Sequence, residues 1–307
     1  MQIRDADTGI VLGPAGARGR ILLGALAARA GQAVPVRQLI EEVWAGAPPA
    51  GAPNALQAHV TRLRRLLTVR QDAAGPGRST VVAGALGYAL RPGAGRLDAE
   101  RFGQLVAQGR ARAAADPDGA GELLRAALSL WRGPALEGSR GGAVCDAAAA
   151  RLEELRLVAA EALYDLCLHG GRHAQIVAEL EELTAAHPLR ERLNEQLMVA
   201  LCRLGRPAEA LGVYERTRRC WLRELGVEPG PALARRARAI AGHAVPDTAA
   251  HAAGLQGAAP DGGGPLSARG LRQEIARLER GIERLSARRG ELVGRLEALG
   301  ADGTVRA

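Results

Sequence analysis

Residues 54–67 read NALQAHVTRLRRLL and follow the loop AGAPPAGAP at 45–53. At 100° per residue, Val60, Leu63 and Leu67 fall within about 40° of Leu56, so these four side chains make one buried stripe on a helix. Thr61 falls at about 140° from that stripe, Arg65 at about 180°, Ala58 at about 200° and Arg62 at about 240°. The face opposite the core therefore carries two arginines, a small hydroxyl and an alanine. Arg64 lies on its flank, and Asn54 and Gln57 lie at its N-terminal end or edge. Asn54, a good N-cap residue, is expected to open the helix. A helix with little bulk at its centre enters a groove about 12 Å wide; Arg forks pair with guanine O6/N7 or phosphate, and an amide such as Gln57 suits adenine. A solvated amphipathic helix has the same pattern, so the neighbouring segments decide.

Upstream, ARGRILLGALAARAG (17–31) repeats apolar residues at helical spacing and closes on a glycine. PVRQLIEEVW (35–44) reads as a second helix with Pro in its first turn and Leu39, Ile40 and Val43 on one face. Downstream, STVVAGALGYAL (79–90) reads as two β stretches about a Gly-containing turn. Three helices and a terminal hairpin outline a compact DNA reader. Charge agrees: residues 1–95 carry 11 Arg against 5 acidic side chains, six of the eight net positive charges of the chain. Such an excess suits a polyanion.

The whole chain has 307 residues, enough for two domains with an appendage. Apolar residues make up 47% and aromatics 2%, so the core is built from Ala, Leu and Val, and a mainly α fold is expected. All 41 basic side chains are Arg. Without lysine there is no phosphate loop ending in Gly-Lys-Ser/Thr and no Schiff-base residue. Cys145, Cys167, Cys202 and Cys220 make no C-x-x-C pair, so neither a zinc site nor a disulfide framework is expected. No run of 18 apolar residues and no signal-peptide pattern occurs, which points to the cytoplasm and away from membranes. His169 and His173 have metal-pair spacing, but Gly170-Gly171 separates them; Ser139 lies in EGSRG rather than a nucleophile elbow. Trp44, Trp131 and Trp221 read as packing anchors. No catalytic constellation, metal site or cofactor is expected.

Gly/Pro-rich breaks at 90–95 and 244–265 divide the chain into 1–95, 96–243, a linker at 244–265, and 266–300. In the second region Gly171-Arg172 and Gly205-Arg206 recur 34 residues apart, and the same offset aligns Leu163 with Leu197, Ala174 with Ala208 and Val177 with Leu211. Thirty-four is the tetratricopeptide period, with Gly at the interhelix turn, small residues at close approaches, and Pro188 where a repeat ends. Stacked helix pairs leave a concave surface for a protein partner or an intramolecular contact; a plain solenoid without a partner fits as well. Beyond the linker, Leu271, Ile275, Leu278, Ile282, Leu285, Arg289, Leu292, Leu296 and Leu299 alternate steps of four and three, the seam of a two-stranded coiled coil. A homodimer through this segment is the first expectation, with a heterologous partner or docking onto the same chain as alternatives. Glu274 facing Glu279 and the glycines at 281, 290 and 294 weigh against it.

The order of two helices, a Pro-rich loop, a basic helix and a hairpin carrying Gly87-Tyr88 resembles the winged helix-turn-helix of OmpR-type response regulators. More specifically, VWAGAPP, NALQAHVTRLRRLL and GYAL are similar to the N-terminal DNA-binding domain of the Streptomyces antibiotic regulatory protein family. LDAERFGQLVAQGRA (97–111), LLRAALSLWRGPAL (123–136), RLEELRL (151–157), HPLRERLNEQLMVAL (187–201), GRPAEALGVYERTR (205–218) and ELGVEPGPAL (224–233) are similar to that family's bacterial transcriptional activation domain.

The resemblance implies a winged helix, a TPR-like helical domain, binding to direct repeats of double-stranded promoter DNA near the −35 region, and recruitment of RNA polymerase holoenzyme to activate a secondary-metabolite gene cluster. It places Arg62 at a base-contacting position, Thr61, Arg64 and Arg65 at groove or phosphate positions, Tyr88 and Arg91 in the wing, and the loop 45–53 with Pro48 and Pro49 towards polymerase. The C-terminal seam lies outside the family pattern. So does the start of the chain, which is expected to lack about ten residues of an N-terminal strand. Gly84-Ala85-Leu86 stands where related wings carry Arg, leaving wing contacts to Arg91 or Arg78. An interaction or scaffold protein using only the helical repeats and the coiled coil is the alternative reading.

Overall fold

Short apolar runs punctuated by Gly and Pro give short elements in the first third of this chain, and longer Ala- and Leu-rich runs give long helices in the rest. The computed structural model describes residues 3–4, 11–14, 16–68, 79–93 and 97–244. All belong to one compact unit that ends at Pro246. The heptad seam from Leu271 to Leu299, the linker beyond Ala244 and Arg78 lie outside the described residues.

Strands β1 (Ile3–Arg4) and β2 (Val11–Leu12) pair antiparallel, with Ile3 opposite Leu12. Helix α1 (Gly16–Ala28) follows, then β3 (Val34–Pro35), α2 (Val36–Trp44), α3 (Ala52–Thr68), β4 (Thr80–Ala83) and β5 (Gly87–Arg91). β5 lies between β3 and β4, antiparallel to both, with Val34 opposite Tyr88 and Val82 opposite Ala89. The Gly84 N–H donates to the Gly87 carbonyl and closes the hairpin. The expected stripe is buried: Leu56, Val60, Leu63 and Leu67 are 1, 1, 3 and 6% exposed. It packs with Leu22, Leu26, Leu39, Val43, Val81 and Leu90.

Two helix starts differ from the sequence reading. α3 begins at Ala52, so Asn54 lies inside the first turn and is not the cap. Pro53 favours this earlier start, since a first-turn residue needs no N–H partner, and the Ala52 and Ala55 N–H groups already donate to Pro49 and Gly51. Pro35 precedes α2 in an extended conformation and pairs in β3 rather than occupying the first turn.

Among the described residues seven further helices follow: α4 (Asp98–Arg112), α5 (Pro117–Leu128), α6 (Ala143–His169), α7 (His173–Ala186), α8 (Glu191–Arg203), α9 (Pro207–Leu225) and α10 (Pro231–Ala244). Helices consecutive in the chain pack together, as in a helical-repeat array. The recurrent glycines do what their spacing implies: Gly171 and Gly205 adopt φ of 74° and 73°, ending α6 and α8 in the left-handed conformation that favours glycine. Leu163 and Leu197 are both buried, and Pro188 lies in the α7–α8 connection. Ala174 and Ala208 are exposed in the first turns of α7 and α9, so they do not mark a close approach of helices as the repeat suggested.

The core of this region joins Phe102, Val106, Leu124, Leu163, Leu180, Leu193, Leu197, Met198, Leu201 and Leu233. Aromatics serve as anchors: Phe102 meets Trp131 edge to face with ring centroids 5.4 Å apart, and the Arg156 guanidinium lies 4.7 Å from the Trp131 centroid. Two polar side chains are buried because they satisfy each other. The Thr217 hydroxyl donates to Asn194 Oδ1 at 2.9 Å, and the Asn194 amide donates to the Pro188 and Arg190 carbonyls.

Candidate nucleic-acid interface

The face of α3 opposite its buried stripe is open to solvent. Asn54, Gln57, Ala58, Thr61, Arg62 and Arg65 are all exposed on it or at its margin. Thr61 donates its hydroxyl proton to the Gln57 carbonyl at 2.9 Å, which leaves its oxygen lone pairs and its methyl facing outward. The relief is therefore low at Ala58 and Thr61, with Arg62 to one side of them and Arg65 about one turn further along the same face.

Arg64 has a different role. Its Nε donates to the Val81 carbonyl of β4 at 2.7 Å, and its guanidinium carbon lies 6.0 Å from the Tyr88 ring centroid. Arg64 and Tyr88 are thus brought together and tie the helix to the hairpin. Arg91 is exposed at the end of β5, away from the hairpin turn. Pro48 and Pro49 are exposed in the α2–α3 connection, which reverses at Ala45 and Gly46, both with positive φ.

Beside Arg62 the fold assembles a group that the pattern of α3 did not reveal. The rings of Trp44, at the end of α2, and His59, on α3, meet edge to face at 6.1 Å, and the Arg18 guanidinium from α1 lies 5.7 Å from the Trp44 centroid. Burial holds the His59 imidazole below its ordinary value, and the positive charges of Arg62 and then Arg18 act in the same direction, so the ring is neutral at pH 7. The buried Trp44 indole N–H finds no acceptor among the described residues. The Arg18 and Arg62 guanidinium groups beside an open helix face suit a phosphate oxygen. The only sequence signal for this corner was the arginine near the start of α1; the contacts join three elements and have no local spacing.

His169 ends α6 with its Nδ1 2.6 Å from the Asp165 carbonyl oxygen, while His173 starts α7. Among the described residues no group of three or more His, Cys, Asp or Glu side chains is placed to hold a metal ion. No described helix is long and apolar enough to cross a membrane.

Residues 15–88 match the family described as "Transcriptional regulatory protein, C terminal", and residues 97–241 match "Bacterial transcriptional activator domain". The chain is 44% identical over 220 residues to transcriptional regulator RedD of Streptomyces coelicolor, covering 71% of this chain and 62% of RedD. It is 45% identical over 216 residues to regulatory protein AfsR of Streptomyces griseus, covering 70% of this chain but 21% of AfsR. It is 39% identical over 223 residues to regulatory protein DnrI of Streptomyces peucetius, covering 72% and 82%. The chain thus spans less than two thirds of RedD and AfsR. In three dimensions it resembles Mycobacterium tuberculosis EmbR, solved in complex with a low affinity phosphopeptide, with a TM-score of 0.68 and 32% identity over 76% of this chain and 62% of that one. A match covering most of DnrI, with both family patterns met in the same order, shows that the chain belongs to the Streptomyces antibiotic regulatory protein family of transcriptional regulators.

Proposed function

We propose that the protein is a sequence-specific activator that places α3 in the major groove of promoter DNA and recruits RNA polymerase holoenzyme to a secondary-metabolite gene cluster. The observation that carries this reading is the open face of α3, low at Ala58 and Thr61 and carrying exposed Arg62 and Arg65. In this reading Arg62 contacts bases, Asn54, Gln57 and Thr61 line the groove, and Arg65, Arg18 and His59 hold phosphates. Arg91 approaches the backbone from the wing, Arg64 and Tyr88 keep the wing in place, and Pro48 and Pro49 face polymerase. The assigned regions are a reader at 1–95, a TPR-like activation domain at 96–243, a linker at 244–265 and a self-associating coiled coil at 266–300. Two copies joined by that seam would place two readers on adjacent direct repeats. The protein acts in the cytoplasm, at the nucleoid, and carries out no catalytic step.

Footprinting and a salt-titrated gel shift against DNA upstream of neighbouring genes test this. Protected direct repeats are expected, with log K falling against log salt by about 0.9 for each phosphate neutralised. Weak binding without sequence preference and with a shallow salt slope overturns it in favour of an interaction protein built on the helical repeats. For the dimer, a chain ending at Ala244 should be a monomer by native mass where the full chain is a dimer; an unchanged oligomeric state removes the coiled coil from that role.

A further inference from the structure

Glu42 is a charged residue on an amphipathic helix, and it is 3% exposed. Its carboxylate accepts the Val144 N–H at 3.0 Å on one oxygen and the Cys145 N–H at 2.7 Å on the other. These are unpaired donors of the first turn of α6, where the helix dipole also favours a negative charge. The cap therefore comes from α2, 102 residues earlier in the chain.

The surrounding packing is built for this contact. A Cβ at Gly142 would overlap the Glu42 carboxyl group, and one at Gly24 of α1 would fall 2.8 Å from the Cβ of Ser139, which is fully buried. The Arg20 Nε donates to the Gly138 carbonyl, and the Cys145 thiol points to the Ile21 carbonyl. Burial, with the Glu42 carboxylate beside it, pushes that thiol up to about 12, so it stays protonated. Val144 and Cys145 pack into the apolar cluster of α1, α2 and α3, not into that of the helices that follow.

We infer that Glu42 is a latch that joins the reader helices to the first turn of α6 as one cooperative unit, so that this turn sets the stability of α2 and α3 and, through them, the grip on DNA. Only the last clause rests on the DNA-binding role proposed above.

Hydrogen exchange on the full chain tests the latch. Glu42→Gln keeps the volume but loses the charge and one acceptor. The Val144 and Cys145 amides should then exchange about tenfold or more faster, and amides of α2 and α3 such as Leu39, Val60 and Leu63 should lose protection with them, while Leu197 and Leu201 of α8 do not. Gly142→Ala, acting from the other side of the contact, should reproduce the pattern. Loss confined to Val144 and Cys145 would reduce Glu42 to a local cap and overturn the inference, as would unchanged protection at both sets. Should the variants not fold, the unsubstituted chain still decides: amides of α2 and α3 and those at 144–145 must share one opening free energy and one denaturant dependence, and separate values overturn the latch. In gel shifts Glu42→Gln should weaken DNA binding severalfold without moving the footprint; unchanged affinity removes the DNA clause alone. Failure of the unsubstituted protein to bind DNA is instead a failure of the reader role, and leaves the exchange result standing.

Discussion

Arg64 reaches from α3 across 17 residues of sequence to donate its Nε–H to the Val81 carbonyl at 2.7 Å, so the reader helix and the wing are joined by one side chain. Its guanidinium also covers the Tyr88 ring. Arg64→Ala should cost about 1–2 kcal/mol of stability in urea titration, the range for a charged donor to a half-buried carbonyl. DNA affinity should fall by a similar factor on every sequence, because the wing shifts and no base contact is lost. Arg64→Lys should restore only part, since a point charge lacks the planar fork that both donates and stacks.

Arg62 behaves differently because its side chain is exposed on the groove face. Arg62→Ala should cost about 1–3 kcal/mol on the preferred repeat and relax the preference at one base position. Competition against repeats substituted one base pair at a time checks this; equal loss on all of them would assign Arg62 to phosphate.

His59 links binding to pH. In the free protein burial, Arg62 and Arg18 depress its affinity for a proton, so it is neutral above about pH 6.5. The unfolded chain binds that proton more readily, so the His59 contribution to stability is complete above that pH and declines as pH falls through and below it. A phosphate seated beside the two arginines reverses their field and favours the imidazolium, so DNA binding should take up a proton. Affinity should rise as pH is lowered from 7.5 to 6, and His59→Gln should flatten that slope; a slope unchanged in the variant places the phosphate elsewhere.

Asn194→Ala should destabilise the helical repeat by about 2–3 kcal/mol, because the Pro188 and Arg190 carbonyls and the Thr217 hydroxyl all lose a partner at one buried site. Thr217→Val, which removes one hydroxyl shared by Asn194 Oδ1 and the Val213 carbonyl, should cost less. Urea midpoints of the two variants provide the comparison.

The α3 stripe and its opposite face were legible because one helix with period 3.6 decides both: once Leu56, Val60, Leu63 and Leu67 are buried, Arg62 and Arg65 must point away. Gly171 and Gly205 were legible for a related reason, since a left-handed turn favours glycine wherever it recurs. The start of α3 was misread because Asn54 satisfies the local rule for a cap while Pro53 satisfies the rule for a first turn, and local rules alone do not rank them.

The sequence by itself determined the helices, the hairpin and the open basic face, all of which follow from spacing within about 20 residues. Only the tertiary structure decided what the flank and corner residues do. A helical wheel places Arg64 beside the groove and Glu42 at the boundary of the Leu39, Ile40 and Val43 face. The presence of β4 turns the first inward, and the N–H groups of α6 draw the second into the interior. A polar side chain near a face boundary goes where its unsatisfied partner lies, and those partners came from strands and helices that the local pattern does not contain.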